Sequence, residues 1–91
     1  MLKPIYGIDV KDESLLPMIP QGSLIRVQRD TWDEIEEGNL VVFPRDGQNY
    51  LGWAYFQDRK VRLEPLKHVE EPLILAKKDI RRLELVIGVD F

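Results

Sequence analysis

A mainly β domain is predicted by two observations: turn-forming residues recur at short intervals, and the runs between them are short, apolar and rich in β-formers. With 91 residues, the chain is expected to form one small domain, residues 1–91, around a single core. The turn signals lie at Pro17 and Pro20–Gly22, Glu37–Asn39, Asp46–Gly47, Gln57–Arg59, Pro65 and Glu71–Pro72.

Seven strands are predicted along the chain. Two hairpins connect the middle strands, one turning at Asp46–Gly47 and the other at Gln57–Arg59. In the segment "KVRLEP", alternation predicts that Val61 and Leu63 face inward. The predicted strands lie near Ile5–Val10, Leu24–Gln28, Leu40–Pro44, Tyr50–Gln57, Lys60–Pro65, Leu73–Leu75 and Leu83–Phe91.

Helix is predicted for only one or two short turns. In "TWDEIEEGN", Thr31 is an expected N-cap with Glu34 three residues later, and the segment ends before Gly38. The segment "AKKDIRRL" is either a short helix or a loop that leads into the last strand. Pro17 and Pro20 prevent a long helix between them.

Composition and charge exclude several classes of protein. The chain has no cysteine, which excludes disulfides and thiolate metal sites, and a single histidine, so neither a metal nor a cofactor is expected. A net charge of −3 indicates a poor stand-alone nucleic-acid binder, and the basic runs "DRKVRL" and "KKDIRRL" are interpreted as solvated faces. No run is long enough to span a membrane and no signal peptide is evident, so a cytoplasmic protein is expected.

Two segments carry a recognisable pattern. "VKDESLLPMIPQGSLIRV" (Val10–Val27) contains Ser14 before an apolar turn, and "IEEGNLVVF" (Ile35–Phe43) repeats its tail of Gly turn, polar residue and apolar strand. In this order and spacing the chain resembles the C-terminal domain of LexA-like regulators, the S24 peptidase-like family that includes phage repressors and UmuD-type proteins. The resemblance extends from about Ile5 to Phe91 and implies a LexA/signal-peptidase-like fold of short, strongly coiled strands.

The resemblance places Ser14 at the nucleophile position, but departs from the family at the base. Active members activate the serine with a lysine on the strand after the second Gly turn, and that position here falls on Gly52 or Trp53. Neither residue accepts a proton at neutral pH. The family's Gly-Asp before the serine is also replaced, by Asp12–Glu13.

Other residues could serve as the base only if the fold relocated them. Lys11 and Lys60 are expected to be exposed, which keeps a lysine protonated. His68 lies in the acidic loop "KHVEEP", where a surface role is expected, although a relocated Ser–His pair stays open.

Three functions therefore compete. The first is a non-catalytic domain that dimerises a transcriptional regulator through the closing strand and reaches DNA only through an upstream helix-turn-helix domain; a core strand of a monomer is the alternative role for that strand. The second is a self-processing peptidase in which a displaced base activates Ser14. The third is an adaptor that binds a peptide or ligand in a cleft lined by Ser14, Leu15, Trp53 and Tyr55. In the closing strand, Leu83, Leu85, Ile87 and Val89 alternate with Glu84, Val86, Gly88 and Asp90, so one apolar face and one mixed face are expected. The expected dimer interface comprises Leu85, Val86, Ile87, Gly88, Val89 and Phe91.

Overall fold

The computed structural model describes residues 3–67 and 70–91, so His68 lies outside the described residues. Within those ranges the protein is mainly β, as predicted, with two 3₁₀ turns at Trp32–Glu34 and Lys77–Asp79. The same part of the chain contains no helix long and apolar enough to cross a membrane. The strands are β1 (Ile5–Asp9), β2 (Leu24–Gln28), β3 (Leu40–Arg45), β4 (Gln48–Gln57), β5 (Lys60–Pro65), β6 (Leu73–Ala76) and β7 (Glu84–Asp90).

All seven strands belong to one antiparallel sheet in the order β1-β2-β7-β3-β4-β5-β6. The ten-residue β4 is shared in a staggered way, because residues 48–53 pair with β3 and residues 52–57 pair with β5. Such stagger is what a coiled, barrel-like sheet requires. The predicted class of short, strongly coiled strands is therefore confirmed.

Three of the turns that use left-handed backbone contain glycine, and the backbone conformation explains its presence there. Asp46 and Gly47 have φ values of 51° and 77°, the pair of positive φ angles that a tight type I′ hairpin needs. Gly22 and Gly38, which precede β2 and β3, have φ values of 91° and 84°. A Cβ atom at either glycine would meet nothing within 4 Å, so conformation and not crowding favours glycine there.

The sheet buries two apolar clusters. The first holds the loop between β1 and β2 against the sheet, and thereby fixes the position of Ser14. In the second, Val61 and Leu63 are fully buried, which confirms the predicted alternation in β5. Burial of each such aliphatic side chain contributes about 1.5–3 kcal/mol. The first cluster comprises Val10, Leu15, Ile19, Ile25, Val27, Val42 and Leu66, and the second comprises Ile35, Val41, Ala54, Val61, Leu63, Ile80 and Leu83.

Thr31 occupies the predicted N-cap position of the 3₁₀ turn, but its side chain makes no capping hydrogen bond. Its hydroxyl instead donates to the Gln28 carbonyl oxygen at 2.9 Å and accepts the Leu85 N–H at 2.8 Å. The side chain is buried, and a buried backbone N–H needs a partner. Thr31 therefore ties the end of β2 to the start of β7.

A β-bulge changes the predicted faces of β7. Val27 pairs with Val86 and Arg26 with Gly88, which leaves Ile87 as the extra residue. The prediction that residues 83, 85, 87 and 89 share one face is wrong, because the bulge reverses the alternation. Val86 and Val89 pack on the first apolar cluster, whereas the Ile87 side chain is 41% exposed.

Candidate functional site

Ser14 borders a cleft of about 600 Å³. The loop after β1, the β3–β4 hairpin and the segment after β5 form its walls. Leu15 lines the cleft as predicted, but Trp53 and Tyr55 do not; Tyr50 and Leu51 take the corresponding places on β4. The polar side chains that surround the opening include Lys11, Asp12, Ser14, Tyr50, Lys67 and Glu70.

Ser14 is exposed, and Asp12 holds it in a local turn. The Ser14 N–H donates to Asp12 Oδ1 at 3.0 Å, and the Ser14 hydroxyl donates to the same oxygen at 2.5 Å. This is the arrangement by which aspartate stabilises a turn through the backbone two residues on. The two hydrogen bonds from Ser14, with a smaller contribution from the charge of Lys67, lower the pKa of the Asp12 carboxyl. A carboxylate of lowered pKa is a poor proton acceptor, so Asp12 orients the serine hydroxyl without activating it.

The two positions at which the lysine was expected carry no base. Gly52 is buried on β4 between Val41 of β3 and Pro65 of β5. A Cβ atom on Gly52 would lie 2.6 Å from the carbonyl oxygen of Glu64 and 3.2 Å from a ring carbon of Tyr50. The backbone as it stands therefore leaves no room for a side chain there.

Trp53, the alternative lysine position, packs against the first apolar cluster. Its ring is half-buried, and the residue pairs with Leu40 of β3 and Glu64 of β5. Indole donates one hydrogen bond and accepts no proton at neutral pH. Trp53 therefore contributes to packing and not to acid–base chemistry.

Tyr50 contacts the space above Gly52 and lines the cleft. Its hydroxyl lies 3.3 Å from the Leu63 carbonyl oxygen and 3.2 Å from the Glu71 carbonyl oxygen, and shares its single hydrogen between them. Burial, followed by the nearby carboxylates of Glu70 and Glu64, raises the pKa of the Tyr50 phenol. The phenol is therefore protonated at neutral pH and cannot accept the proton of Ser14.

Lys67 is one of the cleft residues that the sequence analysis missed. Its ammonium nitrogen lies 3.6 Å from Glu70 Oε1, and its side chain is 41% exposed. A lysine serves as a base when it is buried away from water and from carboxylates, and Lys67 is neither. It acts in the cleft as a positive charge beside Asp12. Only the pairing of β4 with β5 brings this loop to Ser14, so local sequence patterns gave no signal for it.

Of the other candidate bases, Lys11 lines the cleft and is exposed. Lys60 is also exposed, but it pairs with Gln57 at the far end of β5 and does not line the cleft. Across residues 3–67 and 70–91, no group of three His, Asp or Glu side chains is arranged to hold a metal ion.

The coiled antiparallel sheet and the serine turn beside its cleft define the class: a peptidase-like β domain. The profile of the Peptidase S24-like family matches residues 2–87, and the chain belongs to that family. No curated protein matches the chain significantly.

Proposed function

We propose that this domain works by associating with a second copy of itself and not by hydrolysis, as the dimerisation element of a cytoplasmic transcriptional regulator. The observation that carries the proposal is the open edge of β7. With a net charge of −3, contact with DNA is assigned to another domain of such a regulator.

The edge of β7 is open along most of the strand. On one side, Leu85–Asp90 pair with β2. On the other side, only Glu84 and Leu85 pair with β3, and within the described residues no strand covers Val86–Asp90 there. Unpaired backbone N–H and C=O groups at such an edge are a template for a further strand. When this edge pairs antiparallel with the same edge of a second copy, the two protomers are related by a two-fold axis. The unpaired backbone groups of both strands then gain hydrogen-bond partners.

Exposed apolar side chains accompany this edge. Ile87 is 41% exposed and Phe91, directly after β7, is 83% exposed. Ile87 is the bulge residue and has no partner on β2, so its side chain is available for contact with another molecule. Burial of these two side chains would favour association by about 1.5–3 kcal/mol each at most. The proposed interface comprises Leu85, Val86, Ile87, Gly88, Val89 and Phe91.

The cleft geometry supports the non-hydrolytic part of the proposal. The Ser14 hydroxyl donates to a carboxylate of lowered pKa, and the Lys67 side chain that shares the cleft is paired with Glu70. Neither arrangement generates a serine alkoxide. The alternative, self-processing by Ser14 with a displaced base, would require a cleft lysine to become neutral, or another base to approach the hydroxyl, in another conformation.

Matched glutamate substitutions at three exposed isoleucines test the interface. Ile87→Glu places a charge in the proposed interface, whereas Ile5→Glu and Ile74→Glu place it on the edge strands β1 and β6, where the isoleucines are 56% and 61% exposed. Sedimentation equilibrium at high micromolar protein is expected to give a dimer for the parent and for the two edge variants, and a monomer for Ile87→Glu. A monomeric parent, or dissociation by Ile5→Glu or Ile74→Glu but not by Ile87→Glu, would refute the proposed interface.

A further inference from the structure

A second cavity, also of about 600 Å³, shares no lining residue with the Ser14 cleft. It is a groove between residues 30–35 and residues 77–84, and we call it the Trp32 groove. Its apolar surface comes from Trp32, Ile35, Phe56 and Leu83. This volume is in the range of cavities that accept a small ligand or a few side chains.

Two aromatic rings contribute to the wall of the Trp32 groove. The rings of Trp32 and Phe56 lie 6.3 Å apart between centroids, tilted by 33°, and both side chains are half-buried. The ammonium group of Lys77 lies 5.2 Å from the centre of the Phe56 ring. A pair of rings beside a cation accommodates an apolar side chain and places a positive charge at its entrance.

The fold joins the two basic runs of the sequence at one end of this groove. The pairing of β5 with β6 sets Lys60 opposite Ala76, and the Lys77 N–H donates to the Arg59 carbonyl oxygen at 2.8 Å. Five exposed cations therefore share this region: Arg59, Lys60, Lys77, Lys78 and Arg81. None of the five forms an ion pair with a carboxylate in the part of the chain that the structure describes.

The acidic residues of the groove are already engaged in part. Asp33 lies 4.0 Å from the Lys3 ammonium nitrogen, and Glu84 accepts a hydrogen bond from Arg82 at 2.8 Å. Asp30 also lines the groove. The groove lining thus holds three carboxylates and three cations. The five unpaired cations outnumber the nearby carboxylates that have no ion-pair partner among the described residues, which are Asp30, Asp58 and Asp79.

We propose that the Trp32 groove binds an acidic peptide segment that carries one bulky apolar side chain. The apolar side chain enters between Trp32 and Leu83, and the carboxylates of the peptide contact the five cations. A nucleic acid fits less well, because its evenly spaced phosphates would also meet Asp30 and Asp33, whereas a peptide can carry its carboxylates only where they face the cations. The inference goes beyond the proposed dimerisation, since residues 85–91 do not line this groove.

A defined peptide tests the inference with the full chain. The probe is a fluorescein-labelled peptide of Glu and Asp with one central Phe, and binding is followed by fluorescence anisotropy at low salt. Replacing Phe by Ser, or all the acids by their amides, is expected to weaken binding at least about tenfold. An oligothymidylate of equal charge is expected to bind more weakly than the probe. No binding up to about 1 mM peptide, equal binding of the Ser peptide, or tighter binding of the oligothymidylate would overturn the proposal.

Paired charge reversals locate the binding site. The double variant Lys77→Glu and Arg81→Glu is expected to bind the probe at least about tenfold more weakly than the parent. The control is the double variant Lys11→Glu and Arg45→Glu, which changes the net charge by the same amount at the Ser14 cleft. Its affinity for the probe is expected to stay within about twofold of that of the parent. If both double variants weakened binding of the probe equally, net charge alone would explain the effect, and the inference would be contradicted. Lys77→Gln with Arg81→Gln repeats the test without charge reversal, and circular dichroism checks that each variant is folded.

Discussion

Gly52→Ala is predicted to destabilise the protein, although alanine is usually the better residue in a strand. The added methyl carbon would lie 2.6 Å from the Glu64 carbonyl oxygen, well short of the 3.4 Å at which ordinary contact begins. Because the obstacle is backbone, β4 and β5 must separate at the pair formed by Gly52 and Pro65. The substitution therefore tests directly whether this position of β4 can hold any side chain, including a lysine.

The two opposing effects of Gly52→Ala differ in size. Overpacking of a well-packed region costs about 1–3 kcal/mol, whereas removal of glycine's freedom in the unfolded chain stabilises by about 0.4–1 kcal/mol. The cost of the clash is therefore expected to exceed the gain, and Gly52→Ala is expected to be less stable than the parent. For a domain of this size, each kcal/mol lowers the midpoint of thermal unfolding by roughly 4–8 °C. Thermal unfolding followed by circular dichroism at low micromolar protein, where association is weak, measures the change.

Gly88→Ala is the matched control, because it adds the same methyl group to another strand glycine. Its Cβ would lie 3.0 Å from the guanidinium nitrogen of Arg26, a side chain that is 49% exposed and can move aside. Its stability is expected to be equal to or slightly above that of the parent. A Gly52→Ala protein as stable as Gly88→Ala would refute the reasoning about the crowded position.

Three further predictions concern single side chains. Thr31→Val leaves the part-buried N–H of Leu85 without this acceptor and is expected to lower the free energy of unfolding in urea by about 1–3 kcal/mol, whereas Thr31→Ser keeps the contact. Equal stability of the two variants would contradict this role. Burial and a hydrogen bond to Glu84 raise the pKa of Tyr6 to about 12 from its ordinary 10.0, so the unfolded chain loses this proton first and the free energy of unfolding falls between those pH values. Tyr6→Phe is expected to flatten that fall, and an unchanged pH dependence would argue against it. Mass spectrometry after incubation at alkaline pH is expected to show only uncleaved protein for both the parent and Ser14→Ala. A cleavage product that forms in the parent and not in Ser14→Ala would establish hydrolysis.

The strands could be predicted from the sequence because turn residues determine where they end. Asp46–Gly47 and the glycines at 22 and 38 have positive φ, and each marks a strand boundary that was placed correctly to within a few residues. The alternation in β5 was visible because one face of that strand is fully buried. Family membership was likewise predictable, since the serine turn and the second glycine turn lie in order along the chain.

Features that depend on distant pairing could not be predicted. The bulge at Ile87 reverses the faces of β7, and it is defined only by the register with β2. Lys67 reaches the cleft of Ser14 through the β4–β5 hairpin, and Arg59 reaches Lys77 through the β5–β6 pairing. None of these contacts leaves a local pattern, so periodicity and turn signals do not indicate them.

Hydrogen exchange of the backbone amides in Val86–Asp90, measured at low and at high protein concentration, tests the proposed association most directly. In the single protomer, the amides of this segment that point away from β2 have no strand partner among the described residues. Pairing with a second copy is expected to slow their exchange at least about tenfold at high concentration, while the amides of β4 and β5 stay unchanged. Exchange at Val86–Asp90 that is the same at both concentrations would contradict dimerisation through β7.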